Sequence, residues 1–261
     1  MLAYPQLSSG AISQFPVKRR RQQRTIVNDL GNGWTVKQND PYGAITEWTL
    51  PYSGLTGAEV TVLEGFFAEA EGTLNGFTFL DPVSNLLAHS SGDPTKTPWQ
   101  HGPLLSAEGA IADPAGGTAG WHLTNSGAGT QSITQTIAAP GGYLYCFSVY
   151  ARAAQPAAVT LLIDGNRTER TIGEWWTRIA ASSHGNDQAD SVTFGLEVAA
   201  GAEIDVYGFQ AEPQAAPSAY QASGDGGVYE DARLLDDALT VTATDVNCYS
   251  CTVNIIHVNH Q

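Results

Sequence analysis

Most of the chain consists of short runs in which apolar and polar residues alternate, a pattern typical of β-strands. Near the N-terminus, Ile26 and Trp34 flank the segment DLGNG. This segment is rich in residues that tolerate positive φ angles, so the pattern predicts a β-hairpin. A separate strand is expected over GAITEWTLPYSGL, in which Ile45, Trp48 and Leu50 are apolar.

One segment, TGAEVTVLEGFFAEAEG, has helical rather than strand periodicity. Thr56 followed by Glu59 matches a capping box, and Gly72 stands where a glycine commonly ends a helix. The apolar positions that share one face of this helix are Val60, Leu63, Phe66, Phe67 and Ala70. The next segment, GFTFLDP, predicts a short strand that ends at Asp81.

The middle of the chain, residues 88–222, is rich in small residues and has no helical pattern. Its roughly seven short alternating segments are spaced as in β-sandwiches and jelly rolls. The last segment of the chain alternates on both sides of residues 245–247, which predicts a terminal hairpin.

The distribution of these elements predicts a discontinuous domain. Residues 1–87 offer about three strands and a helix, and residues 223–261 offer two more strands, so each is too small for a stable sheet of its own. They therefore complete each other, and residues 88–222 form an inserted β-sandwich. The ends of the insertion, near Ala88 and Ala222, are expected to lie close together. The predicted fold class is mainly β.

Composition narrows the class of protein further. Apolar residues make up 42% of the chain, and the net charge is −14. The apolar content suits a packed core, and the acidity repels DNA and anionic lipid at long range. We expect no signal peptide and no membrane-spanning segment. The three cysteines, Cys146, Cys248 and Cys251, offer no disulfide framework and indicate a reducing cytoplasm.

The order of elements in residues 15–82 resembles the distal tail proteins of long-tailed phages and gene transfer agents, including the lambdoid minor tail protein M. The segments that carry the resemblance are TIVNDLGNGWTVKQND, EWTLPYSGLTGAEVTVLEGFF and GFTFLDP. The closing segment, LLDDALTVTATDVNCYSCTVNI, is similar to the final pair of strands in that family. One departure is the turn, which is DLGNGW here and closer to FGDGY in the family.

The middle region resembles the carbohydrate-binding-module sandwiches found in phage tail proteins. Its ending, IDVYGFQAEPQAAPSAYQAS, is similar to one that is common in those modules, and Trp121 and EWWTRIA fit the same pattern. Trp121, Trp175, Trp176 and Tyr207 are therefore candidates for a sugar-binding platform, although each of them taken singly is more often a core aromatic. If Trp175 and Trp176 lie in a strand, they point to opposite sides.

Together, the resemblances imply a virion structural protein that forms a distal tail ring, commonly a hexamer. A split, belt-like domain would build the ring, and the inserted sandwich would project outwards and bind host surface polysaccharide. The implied partners are further copies of the chain, the tail tube protein and the tail-tip hub protein, while DNA only passes through the lumen. The expected location is the phage tail tip, after assembly in the host cytoplasm.

The basic run PVKRRRQQR contains five of the twelve Lys and Arg residues of the chain. In a ring, the residues of this run that would face a neighbouring subunit are Lys18, Arg19, Arg20, Arg21 and Arg24. Carboxylates that could receive them are Glu59, Glu64, Glu69 and Glu71 on the helix, and Glu230, Asp231, Asp236 and Asp237. We expect Arg20, Arg21 and Arg24 to pair with another chain. The alternatives are a solvated edge strand protected by its charges and contact with DNA in the tube lumen.

Other functional classes find little support in the sequence. No nucleophile elbow, zinc-binding helix or phosphate-binding loop occurs, so we expect neither an enzyme nor a cofactor. The CxxC of NCYSC supplies too few ligands for a metal site, and its cysteines would face opposite sides of a strand. Two rival functions remain: a free-standing lectin-like protein and, less favoured, a polysaccharide-degrading enzyme.

Overall fold

A computed structural model describes residues 1–31 and 33–258, without the side chain of Pro41. Over these residues the chain has sixteen strands and one helix, which confirms the predicted mainly β fold. No helix in this part of the chain is long and apolar enough to cross a membrane. The elements are β1 (Lys18–Asp29), β2 (Thr35–Leu55), α1 (Gly57–Ala70), β3 (Phe77–Leu80), β4 (Gln100–His101), β5 (Leu105–Ile111), β6 (Gly120–Asn125), β7 (Gln131–Ile137), β8 (Leu144–Arg152), β9 (Ala157–Ile163), β10 (Asn166–Ile172), β11 (Thr177–His184), β12 (Val192–Val198), β13 (Glu203–Glu212), β14 (Val228–Leu234), β15 (Val241–Asp245) and β16 (Cys248–Val258).

The chain divides into two compact units. The helical unit comprises Leu2–Leu7, Ser13–Phe79 and the described residues from Tyr229 onwards. The sandwich unit comprises Met1, Ser8–Ile12 and Leu80–Val228. The long internal segment of the sandwich unit extends beyond the predicted limits of 88 and 222 at both ends.

The sheet of the helical unit has the order β1-β2-β16-β14-β3, with β15 also paired to β16. Aromatic side chains fill the core of this unit. The ring centroids of Tyr4 and Phe66 lie 5.2 Å apart, and those of Trp48 and Phe79 lie 5.0 Å apart. Because Phe66 comes from α1 and Phe77 from β3, their edge-to-face contact, with centroids 4.8 Å apart, joins the helix to the sheet.

Strands β1 and β2 form a long antiparallel hairpin. The predicted turn is confirmed, since the N–H of Leu30 donates to the carbonyl of Trp34 at 2.7 Å. The expected separate strand was wrong, because β2 continues for 21 residues through a bulge opposite Gln22 and Arg24. The described residues of the segment 18–39, which we call the arm, are all exposed.

The predicted start of the helix is confirmed. The N–H of Glu59 donates to Thr56 Oγ1 at 3.3 Å, and the N–H of Thr56 donates to Glu59 Oε2 at 2.9 Å. These reciprocal bonds satisfy two backbone donors that a helix start leaves open. The helix ends at Ala70, and Glu71 rather than Gly72 is the first residue in the left-handed region, with φ of 52°.

The sandwich unit contains two five-stranded antiparallel sheets. The first sheet has the order β10-β9-β12-β7-β4, and the second has the order β11-β8-β13-β6-β5. Tyr145, Phe147 and Val149 of β8 are fully buried, which is the alternation of a strand with one face on a core. The ring of Phe147 lies 5.9 Å from that of Phe194 in the first sheet, so aromatic contacts connect the two sheets.

The ends of the predicted insertion are hydrogen-bonded to each other. The N–H of His89 donates to the carbonyl of Gly224 at 2.7 Å, and Ser223 Oγ donates to the carbonyl of Leu87. The chain therefore enters and leaves the sandwich at adjacent positions.

For the remaining strands, the agreement between the sequence-based prediction and the structure depends on how apolar each strand is. The terminal hairpin is confirmed, with Asn247 at a positive φ of 51° between β15 and β16. Strand β10 was missed, because its sequence NRTERTI is mostly polar and exposed at a sheet edge.

Thr56→Ala is expected to lower the free energy of unfolding by about 1 kcal/mol, because the helix start loses its capping oxygen. Urea unfolding followed by circular dichroism measures the change. Thr240→Ala is the matched control, since Thr240 is exposed and outside any strand or helix. An equal loss in both variants would contradict the capping role.

Candidate functional site

The outer face of the second sheet of the sandwich is the candidate site. Strand alternation places Ser148, Tyr150 and Arg152 of β8 on this face, opposite the buried side chains of the same strand. The strand register then aligns the outward side chains of neighbouring strands in two consecutive rows that cross the sheet.

The first row contains charged side chains around Asp205. Arg152 lies opposite Asp205, which in turn lies opposite His122. Arg152 Nε donates to Asp205 Oδ2 at 2.8 Å, and His122 Nδ1 lies 2.8 Å from Asp205 Oδ1. The guanidinium carbon of Arg152 also lies 4.7 Å from the ring centroid of Trp176, which precedes β11. Glu108 of β5 completes the row opposite His122.

The second row is mostly aromatic. Tyr150 lies opposite both Arg178 and Tyr207. The rings of Tyr150 and Tyr207 are 6.0 Å apart, and Tyr220 adds a further ring 5.1 Å from that of Tyr207. Gly208 permits this packing, because its φ is 69° and a Cβ there would lie 3.2 Å from the ring of Tyr220.

The hydroxyls of Tyr207 and Tyr220 stay protonated at neutral pH. Burial raises the pKa of Tyr207, and nearby Asp113 and Tyr150 raise it further. Burial likewise raises the pKa of Tyr220, against the opposing effect of its hydrogen bond with Ser90. Both hydroxyls can therefore donate hydrogen bonds as well as accept them.

The rest of the outer face is closed by residues 213–222, which we call the covering segment. Cys146 and Ser148 point outwards from β8 but are fully buried. Ser218 of the covering segment donates its N–H to Glu212 Oε2 at 3.0 Å, and its carbonyl accepts from Arg178. The covering segment therefore closes the face on one side of the two rows, and the face stays open on their other side, where Glu203 is 67% exposed.

A loop next to the aromatic row is organised by one carboxylate. The backbone N–H groups of Ala119, Gly117 and Ala115 donate to Asp113 at 2.8–3.0 Å. These bonds, led by that of Ala119, hold the pKa of Asp113 below its usual value. The loop is thus held in place by a charged acceptor.

The structure brings together two of the four predicted sugar-binding aromatics. Trp176 and Tyr207 lie on the outer face, whereas Trp121 precedes His122 in β6 and points to the other side of the sheet. Trp175 is 76% exposed, and both tryptophans lie in the connection before β11, so the alternation of a strand does not set their directions.

Four residues of the two rows were not among the predicted site residues: Tyr150, Arg152, Asp205 and His122. Their signal was present, since each alternates with an apolar neighbour in a predicted strand. The pairing of β6, β8 and β13, which places them in one row, was not available from the sequence.

The basic arm residues are only partly paired within the chain. Arg20 Nη1 lies 3.0 Å from Glu47 Oε2, and Arg24 Nε donates to Asp40 Oδ2 at 2.5 Å. The antiparallel register places these partners opposite each other. Both arginines therefore have a partner within the chain, and their pairing with another chain stays a prediction.

Of the other basic residues in the arm, Lys18, Arg19 and Arg21 are exposed. Lys18 and Arg21 have no ionic partner in the described part of the chain. The positive charge of the arm is thus incompletely neutralised.

Four of the predicted acidic partners lie on or near β14. Asp237 Oδ1 accepts from the N–H of Thr73 at 2.8 Å, Asp231 Oδ1 accepts from Arg233, and Asp236 Oδ2 accepts from Asn254. Glu230 is exposed. These carboxylates therefore lie in the same unit as the arm.

The cysteines are free, with Cys146 and Cys251 buried and Cys248 half-buried. Burial raises the pKa of the Cys146 and Cys251 thiols, which disfavours the thiolate. Within residues 1–31 and 33–258, no group of three or more His, Cys, Asp or Glu side chains is placed to hold a metal ion.

No family model and no curated protein matches the chain. Among solved structures, it is similar to carbohydrate-binding modules over about half its length. The CBM22-1 xylan-binding domain from Paenibacillus barcinonensis is 15% identical with a TM-score of 0.40, over 53% of this chain and 95% of that domain. TmCBM61, solved in complex with β-1,4-galactotriose, is 13% identical with a TM-score of 0.38, over 49% of this chain and 97% of that module.

A further similarity is to the enzymatically active domain of the bacteriophage CBA120 tailspike protein 4. It is 14% identical with a TM-score of 0.38 and covers 51% of this chain but 22% of that one. At these identities the similarities concern the fold alone and assign no ligand.

Asp205→Asn is expected to lower the free energy of unfolding by about 1–2 kcal/mol, because the amide loses charge-assisted contacts with Arg152 and His122. Thermal and urea unfolding measure the change. Glu203→Gln is the control, since Glu203 lies 4.0 Å from His122 and is 67% exposed. A loss in the control as large as that in Asp205→Asn would contradict the central position of Asp205.

Proposed function

We propose that the sandwich unit binds glycans on the two open rows of its second sheet. The observation that carries this proposal is the aromatic row of Tyr150, Tyr207 and Tyr220 beside the charged row centred on Asp205. Flat aromatic rings can pack on the apolar faces of pyranose rings. The neighbouring charged groups can bind the hydroxyls at the ring edges.

The spacing of polar groups suits neutral sugars. Asp205 and Arg152 form an acceptor next to a donor, which matches a pair of adjacent sugar hydroxyls. The side chain of Arg152 is 32% exposed, and within the described residues it contacts Asp205 and the Trp176 ring. Its outer nitrogens therefore remain available to donate to a ligand.

We propose binding rather than turnover at this site. Both oxygens of Asp205 are engaged, one by Arg152 and the other by His122. A carboxylate held in this way supports the geometry of a binding surface. It is poorly placed to take up and release a proton during hydrolysis.

We further propose that the chain is a structural component of a phage tail-tip ring, positioned between the tail tube and the hub. The arm supports this function, because a hairpin that is exposed along its length and carries both apolar and basic side chains is suited to bind a neighbouring subunit. The resemblance of residues 15–82 to distal tail proteins points in the same direction. In the virion, a ring would present several sandwich units together and strengthen weak glycan binding through avidity.

Trp176→Ala and Tyr207→Ala are each expected to weaken glycan binding by about ten-fold, because each removes an aromatic side chain from the proposed contact surface. A glycan array identifies a ligand, and calorimetry measures the affinity of each variant. Trp175→Ala is the matched control, as the adjacent tryptophan lies outside the two rows.

Unchanged affinity in Trp176→Ala and Tyr207→Ala, with a loss in Trp175→Ala, would place the binding site elsewhere. Steady release of shorter products from a bound polysaccharide would favour the rival enzymatic function. A stable monomer with tight glycan binding would favour the free-standing lectin.

Arg21→Glu is expected to reduce ring assembly strongly, because it places a negative charge in the basic part of the arm. Light scattering after size-exclusion chromatography measures the mass of the assembly. Lys96→Glu serves as the charge-matched control, since Lys96 is exposed in the sandwich unit. If rings form normally with Arg21→Glu, the basic run is instead a solvated edge strand and does not take part in ring assembly.

A further inference from the structure

One surface of the helical unit contains carboxylates from both groups that the sequence offered as partners for the basic run. One group lies on α1, and the other lies on and just after β14. The end of α1 and the segment after β14 are joined there, because the N–H of Thr73 donates to Asp237 Oδ1. Their approach is close, since a Cβ on Gly72 would lie 2.5 Å from the same oxygen. Arg233 also donates to the carbonyl of Leu74. We call this region the α1 surface.

The charge of the α1 surface is predominantly negative. Its exposed carboxylates are Glu64, Glu69, Glu71, Asp231, Asp236 and Asp237. The side chain of Arg233 lies among them and contacts Asp231 at 3.2 Å. A basic partner would therefore meet several carboxylates that are not neutralised.

The α1 surface also has apolar positions between its charges. Leu74 is 61% exposed and Leu235 is 43% exposed. Phe67 lines two adjacent depressions, one with Leu74 and one with Leu234. Apolar side chains from a partner could therefore be buried at the centre of this surface, with charge pairs around them.

The arm has complementary properties. Its exposed apolar side chains include Val27 at 53%, Leu30 at 45% and Trp34 at 72%. Lys18 and Arg21 carry positive charge near its base, without an ionic partner in the described residues. Since the arm is exposed, its surface is available to another molecule.

We propose that the arm of one copy docks on the α1 surface of a second copy, the apolar end of the arm over Phe67 and Leu74. This inference rests on the proposed ring function and specifies its subunit contact. A second copy is the occupant that fits, because one chain supplies both the basic, apolar arm and the acidic, apolar surface. Such a contact is heterologous, so its repetition generates a closed ring when the rotation between subunits permits.

Cross-linking between two differently marked chains tests this contact. Val27→Cys is placed in one full-length chain and Leu74→Cys in another, and Cys248→Ser is added to both to remove the half-buried thiol. The two proteins are mixed under assembly conditions and treated with a short bismaleimide. We expect about ten-fold more covalent heterodimer than in a control pair whose thiols docking does not bring together. The reason is that docking raises the effective concentration of the two introduced thiols.

Leu104→Cys replaces Leu74→Cys in the matched control, since Leu104 is 50% exposed in the sandwich unit. If assemblies form but the Val27–Leu74 combination gives no more heterodimer than Val27 with Leu104, the docking inference fails and the ring proposal stands. If the parent chain remains monomeric at every concentration, the ring proposal fails as well.

Discussion

The alternation of side chains along β8 and β13 determines the rest of the sandwich. Phe147 and Val149 must face the core between the sheets, because this is where their apolar surface is removed from water. Because side chains alternate along the strand, Tyr150 and Arg152 then lie on the outer face, although neither is part of the core. A slip of one residue in β8 would bury Arg152 and expose Phe147, so core packing also maintains the candidate site.

The covering segment gives the outer face its limits. It buries Ser148 and Cys146, which would otherwise extend the open surface along β8. Its anchor, Ser218, is bound by both Glu212 and Arg178. This arrangement leaves a narrow strip of aromatic and charged side chains instead of a broad exposed sheet, and it places the ring of Tyr220 at the side of that strip.

Cationic residues are scarce in this acidic chain, which has twelve Lys and Arg against twenty-six Asp and Glu. Six of the twelve lie in the arm, where Arg20 and Arg24 also stabilise the hairpin through Glu47 and Asp40. The remaining charge of the arm is available for contact with acidic surfaces. Concentrating positive charge on one exposed hairpin favours a specific encounter between subunits, while the overall negative charge limits non-specific association.

The sequence by itself determined the elements whose signals are local. The capping box at Thr56, the turn before Trp34 and the terminal hairpin depend on residues close together in the chain. The polar edge strand β10 lacked an apolar pattern and was missed. Only the tertiary structure decided which aromatics share a face, because strand pairing brings Tyr207 to Tyr150 and Asp205 to Arg152, while Trp121 is directed to the other side. The physical reason is that a strand fixes the alternation of its own side chains, whereas the register between distant strands fixes their neighbours.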